Sequence, residues 1–387
     1  MTDDSRANVR STRLGRAPWG LFGMLILVFL VEGHVARRPL DFLDPDDWAF
    51  REARRAAGRE AKRADVLILG DSLVKLGVVP RAVEERSGRR VTNLALSGSQ
   101  ATTSEIMFRR ALKAGARPAA VVVDFFPSLQ SVGPRHTLKR WSSLLGAFGA
   151  AELAWSAGDP ALFGSVALAR LLPTFKGRDA VVENVRAALE GRSDSRRWAN
   201  TLTKRNWLGN GGAQLVPPSA DVARMTDADF DAWRQKYFEA FRCAPVNDRA
   251  IGRLLALADA HNVPVYWLLP PYSPGLSAKC EASGFEAAHR AYVRSWQERF
   301  PGLTVIDARD AVPDPTVYHD PHHLGAPGAY GFSLALGNLL RRELHSTPGA
   351  SRWLTLRPCR PVSLPAGVED LDASHLALEN LYGRARR

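Results

Sequence analysis

The residues of this chain whose types and spacing suit nucleophilic chemistry are a serine just past an apolar run and, near the other end, an aspartate and a histidine three residues apart. Gly70-Asp71-Ser72-Leu73 follows Val66-Leu67-Ile68-Leu69, so the Ser72 hydroxyl leaves the end of a buried strand on a tight turn with its backbone N–H free. Such an oxygen can attack an ester carbonyl once a base takes its proton. Tyr318-His319-Asp320-Pro321-His322-His323-Leu324 offers that base. A carboxylate three residues before an imidazole, on a loop entering a helix, can accept the Nδ1 proton of His323 and leave Nε2 facing the serine. Asp71 reads as a loop-positioning residue, its side chain accepting backbone N–H groups. Other roles stay open at this point. Ser72 could be a strand-end turn or N-cap residue, and His322 is a second candidate base. His319, Asp320, His322 and His323 could form a metal cluster, but adjacent histidines rarely aim at one ion and no further His or Cys pair at ligand spacing completes the set, so no metal is expected.

Together these blocks resemble the GDSL or SGNH hydrolase superfamily, whose members carry an early Gly-Asp-Ser, a glycine block after the second strand and a late Asp-x-x-His. The match runs from Ala64 to about Glu343, with Val91-Thr92-Asn93-Leu94-Ala95-Leu96-Ser97-Gly98 as its glycine block. The resemblance implies Ser72 as nucleophile, His323 as base, Asp320 as its orienting acid, and the N–H groups of Ser72 and Gly98 as oxyanion hole. The chain departs from the family in one block. The family's Gly-x-Asn-Asp is missing, and the third apolar run, Ala119 to Val123, continues into Asp124-Phe125-Phe126-Pro127-Ser128. Loss of one oxyanion donor costs about 3–4 kcal/mol of transition-state stabilisation; Asn206 and Asn210 are the candidate substitutes.

The activity implied is that of a serine esterase acting on O-acyl esters, without metal or organic cofactor. The N-terminal anchor, Pro270-Pro271 and the late histidine block are similar to exported members that modify cell-surface polymers, such as the alginate acetylation proteins. The expected partner is therefore an acylated small molecule or cell-surface glycan. Water as acceptor makes the chain an esterase, and a glycan hydroxyl makes it an acyltransferase. A degenerate SGNH domain serving as a binding module is the alternative that the missing block motivates.

Positioning these groups calls for short apolar strands alternating with amphipathic helices, which is the pattern on both sides of a long interruption. Strands are expected at 64–69, 91–96, 119–123, 263–269 and 303–306, and helices near 80–86, 103–113, 247–261, 285–299 and 328–340. The fold class expected is α/β, a three-layer α/β/α flavodoxin-like parallel sheet with a helical insertion at about 130–240 and an N-terminal membrane helix. The insertion is either a peripheral subdomain or a cap over Ser72. Residues 1–16 form a basic head with Arg6, Arg10, Arg13 and Arg16, and 17–36 read as a transmembrane signal anchor, a cleaved signal peptide being the other reading. This orientation makes the chain single-pass in the cell membrane, its catalytic domain extracytoplasmic. Residues 37–63 read as a stalk or linker helix, 64–345 as the hydrolase domain, and 346–387 as a C-terminal extension, packed on the core or disordered, with one short amphipathic piece at 371–381.

Composition narrows the alternatives. The 387 residues are 45% hydrophobic, enough for a full core, and carry a net charge of +12. Nucleic acid is not the expected partner, because the charges are spread without any recognisable module; anionic lipid or acidic glycan accounts for them equally well. Cys243, Cys280 and Cys359 are too few and too scattered for a disulfide scaffold or zinc site, although one pair could be bridged.

Overall fold

The computed structural model describes residues 19–191, 195–345 and 352–384. The basic head expected at 1–16 lies outside them. Eight strands occur among the described residues: β1 (Val66–Leu69), β2 (Val91–Asn93), β3 (Ala120–Val123), β4 (Val265–Leu269), β5 (Leu303–Asp307), β6 (Tyr318–Asp320), β7 (His323–Leu324) and β8 (Arg352–Thr355). Six of them form one parallel sheet in the order β2-β1-β3-β4-β5-β8, and β6 and β7 make a separate antiparallel hairpin.

Continuous apolar runs such as Val66-Leu67-Ile68-Leu69 suit strands buried on both faces, and the period-two pleat divides them between two cores. Leu67, Leu69, Val121, Val123, Trp267 and Val305 point to one face, where Phe50, Phe108, Leu254 and Trp296 cover them from four helices. Val66, Ile68, Val122, Leu268 and Ile306 point to the other, against Val83, Phe332 and Leu336. Helices therefore sit on both faces. The order 2-1-3-4-5 places a topological switch between β1 and β3, whose carboxyl ends open the crevice where ligands bind in such sheets.

Two segments are built into the fold more closely than the sequence reading has them, the linker helix and the packed C-terminal extension. Residues 37–63 are not a stalk. The helix Pro45–Arg59, N-capped by Asp44, buries Trp48, Ala49, Phe50, Ala53 and Ala57 in the first core, because its apolar residues recur at helical spacing and its arginines fall on the outer side. The C-terminal extension is part of the sheet: β8 pairs in parallel with β5, from Thr304 opposite Arg352 to Asp307 opposite Thr355. Beyond it the helix Leu371–Arg384 packs on the helix Ser195–Gly209.

The insertion is helical, as expected, with helices at Leu138–Leu144, Ala147–Ala157, Pro160–Leu171, Arg178–Leu189, Ser195–Gly209 and Asp227–Tyr237 among its elements. At the N-terminal end, Trp19–Arg37 is one helix long and apolar enough to cross a membrane, with a mean hydropathy of 1.8. Its nineteen residues reach about 28 Å. The Glu32 carboxylate near its end accepts from the Thr174 N–H at 2.8 Å and from the Thr174 hydroxyl, fixing the helix foot to the insertion.

Candidate active site

β1 ends at Leu69, and the chain must then turn sharply to bring Ser72 to the start of the helix Ser72–Gly77. Gly70 makes that turn at φ 151°; a Cβ there would stand 2.6 Å from the Val74 side chain and 2.9 Å from the Asp124 carbonyl oxygen. Asp71 caps the helix, with Oδ1 accepting from the Leu73 N–H at 2.9 Å and Oδ2 from the Phe126 N–H at 2.7 Å. It therefore ties the end of β1 to the end of β3, the positioning role expected of it.

The β6–β7 hairpin brings the other residues to the serine. Ser72 Oγ lies 2.8 Å from His323 Nε2, and His323 Nδ1 lies 2.7 Å from Asp320 Oδ2. Asp320 Oδ1 accepts the backbone N–H groups of His322 and His323, each at 3.0 Å. Burial alone would raise the Asp320 pKa. The hydrogen bond with His323, the two imidazoles and the His322 N–H outweigh it and hold the carboxyl well below the usual carboxylate range.

His322 is not placed as the base. Its ring is buried, stacked on Phe126 at an interplanar angle of 7°, and its Nδ1 accepts from the Trp233 indole N–H at 2.9 Å. Burial first, then the neighbouring His323, push its pKa down to about 3, so it stays neutral as a packing and acceptor group. Asp320, His322 and His323 present ligand atoms within 4.8 Å of one another, but those atoms are the ones engaged with Ser72, Trp233 and each other. His319 turns to the Pro217 carbonyl oxygen at 2.8 Å instead.

Two N–H groups face no acceptor at the site: those of Ser72 and Gly98 make no hydrogen bond among the described residues. The loop carrying Gly98 is tied to the Ser72 turn, since the Leu96 N–H and the Ser99 hydroxyl both donate to the Gly70 carbonyl oxygen, at 3.0 and 2.7 Å. Gly98 has φ 65°, and a Cβ there would stand 2.6 Å from Arg140 Nη1. Arg140 donates to the Ser97 carbonyl oxygen at 2.6 Å and to Asp46 at 2.7 Å. In a trans peptide the Ser97 C=O and the Gly98 N–H point in opposite directions, so a cation on the carbonyl both fixes the amide and polarises its N–H. Arg140→Gln is expected to lower turnover of an activated ester about 10- to 100-fold with KM little changed, less than the loss of a whole oxyanion donor, and Arg140→Lys to recover part of it. Equal turnover in all three proteins would contradict this role.

The expected substitutes for the missing asparagine are elsewhere. Asn206 and Asn210 both donate to the Glu369 carbonyl oxygen, at 2.9 and 2.7 Å, and Asn206 Oδ1 accepts from the Leu215 N–H. They are buried where the C-terminal extension docks, so neither is an oxyanion donor. The loop after β3 has a different task. Asp71 and Asp124 are both buried, and burial raises both carboxyls, Asp124 well above its ordinary value because the Asp71 charge adds to it.

A carboxyl whose pKa is raised in the fold stabilises fully below its ordinary value of 3.8, and that contribution is lost as pH rises toward the folded pKa. Asp124→Asn removes that titration. Denaturant unfolding at pH 5 and pH 7 should therefore show the variant losing less stability than the parent, by up to about 1.4 kcal/mol per pH unit. Identical losses would contradict a raised Asp124 carboxyl.

The insertion flanks the site on two sides. Arg140 comes from the helix Leu138–Leu144 beside Gly98, and Trp233 and Tyr237, both half-buried, come from the helix Asp227–Tyr237 against His322. All three cysteines are free thiols.

An α/β protein with a parallel sheet, carrying a serine, a histidine and an aspartate in hydrogen-bonded series at the switch between β1 and β3, is the class that fold and site define. Compared with known proteins, the chain matches no family model and no curated sequence.

Proposed function

We propose that this chain is a membrane-anchored serine esterase of the SGNH type, with its site outside the cytoplasm, acting on O-acyl esters such as acetyl groups of a cell-surface glycan. The observation that carries the reading is the continuous series Ser72 Oγ, His323, Asp320 at 2.8 and 2.7 Å. His323 Nε2 takes the Ser72 proton as Oγ attacks the acyl carbon, Asp320 holds the imidazole in the tautomer that can do so, and the Ser72 and Gly98 N–H groups receive the developing oxyanion. His323 then returns its proton to the leaving alkoxide. A water, deprotonated by the same Nε2, releases the acid. No step uses a cofactor.

Transfer to a glycan hydroxyl is the second reading. It is favoured by the half-buried Trp233 and Tyr237 rings next to the histidines, since an aromatic face suits the apolar side of a sugar ring. Turnover of nitrophenyl acetate by the full chain in detergent, with and without a polysaccharide acceptor, separates the two. Release of acetate alone supports hydrolysis, acetylated polysaccharide supports transfer, and no Ser72-dependent turnover with either overturns both.

A further inference from the structure

Cations gather where the membrane helix meets the domain, with few carboxylates to meet them. A cavity of about 550 Å³ is lined there by Arg37, Arg38, Arg51, Arg55, Arg197 and Lys204. Its two acids, Asp41 and Glu52, are already paired: Arg55 bonds Glu52, and Arg197 stands 3.5 Å from Asp41. Arg38, Arg51 and Lys204 have no carboxylate within 4.0 Å among the described residues. A second cavity, of about 390 Å³, shares Arg51 and Arg55 and continues past Arg54 and Arg110. The crowding has a sign: Arg51 and Arg54 are held below the usual arginine pKa, first by burial, then by Arg55 at Arg51 and by Arg110 and Arg170 at Arg54.

The height of this cluster follows from the helix. Arg37 closes a span of about 28 Å that begins at Trp19, close to the thickness of the hydrocarbon layer, so the cations stand at the level of the lipid phosphates on the domain's side. Leu171 and Phe175, 74% and 54% exposed, flank the foot of the same helix through the contact of Thr174 with Glu32. Apolar side chains, then arginines, repeat the order of hydrocarbon and headgroup.

We infer that this cavity binds the phosphate of an anionic phospholipid in the leaflet around the helix foot, with Arg51 and Arg55 as its central cations. A lipid is the source, as opposed to a free anion, because the cations close a bilayer-length helix and exposed apolar side chains stand beside them. The bound headgroup adds negative charge beside Arg38, Arg51 and Lys204, which no carboxylate pairs among the described residues, and holds the domain at one height over the membrane. The inference rests on the helix Trp19–Arg37 crossing the bilayer. That premise is read separately, as retention of the full chain in membranes after an alkaline carbonate wash.

The test follows thermal unfolding of the full chain in a non-ionic detergent with dihexanoyl phosphatidylglycerol, dihexanoyl phosphatidylcholine or inorganic phosphate. The phosphatidylglycerol should raise the midpoint by about 2–4 °C and the other two by much less. Arg51→Gln with Arg55→Gln should abolish the rise, whereas Arg89→Gln with Arg117→Gln, which removes the same charge elsewhere, should keep it. No rise in the parent protein, an equal rise with phosphatidylcholine or inorganic phosphate, or a rise that survives the first pair or disappears with the second would overturn the assignment.

Discussion

Ser72→Ala is expected to reduce turnover of an activated ester by about four to six orders of magnitude while leaving the thermal midpoint almost unchanged. The size follows from the geometry. Oγ is the one atom in the series that can form the acyl bond, so without it His323 has no hydroxyl to activate, and the Ser72 and Gly98 N–H groups are left to stabilise only direct attack by water. Stability should hold because the fold around the serine is carried by other atoms. Asp71 accepts the Leu73 and Phe126 N–H groups, Gly70 makes the turn, and the Ser72 hydroxyl's contact at the site is with His323. Parallel activity and unfolding measurements check both halves. A variant that keeps a tenth of the parent's turnover would remove Ser72 from the chemistry.

Asp320→Asn should cost about four orders of magnitude in kcat. Asparagine can keep Oδ1, and with it the His322 and His323 N–H bonds at 3.0 Å, so the hairpin should retain its shape. What changes is the partner of His323 Nδ1. An amide NH2 in place of Oδ2 turns Nδ1 into an acceptor, moves the imidazole proton to Nε2 and leaves nothing to take the Ser72 proton. The pH dependence has a definite sign. Asp320 is held below its ordinary 3.8, so its contribution to stability is complete above that value and is lost as pH falls through the lower folded pKa. The stability that ionised Asp320 supplies, absent from the variant, should therefore shrink in strong acid, which denaturant unfolding of both proteins at pH 5 and below pH 3 checks. A kcat within tenfold of the parent at pH 7 would contradict the role.

Much of this site is legible in the sequence because its parts are local. The strand end, the glycine turn and the Leu73 N–H that Asp71 caps lie within seven residues of one another, and Asp320 and His323 share one hairpin. The strands of the core are equally readable, since Val66–Leu69, Ala120–Val123 and Val265–Leu269 are apolar on both faces and nothing polar competes for their burial. What the sequence hides is long-range. Arg140 reaches Ser97 across 43 positions from an inserted helix whose docking has no local signal, and Trp233 reaches His322 across 89. Asp124 is visible as a departure from a motif, but its raised pKa depends on burial beside the Asp71 charge, which joins two strand ends. The polar, glycine-rich stretch around Asn206 and Asn210 looks like a loop over a site, whereas it is the seat of the C-terminal extension. That extension was hard to read as a strand because Arg352-Trp353-Leu354-Thr355 is an edge, half-buried and without a continuous apolar run.

The central claim is that Ser72 is a nucleophile activated by His323. Its most direct test is covalent labelling of the full chain by a fluorophosphonate probe, followed by peptide mass analysis. One adduct is expected, on Ser72, absent from Ser72→Ala and strongly slowed in His323→Ala. An unlabelled parent protein, or an adduct on another residue that persists in Ser72→Ala, would contradict it.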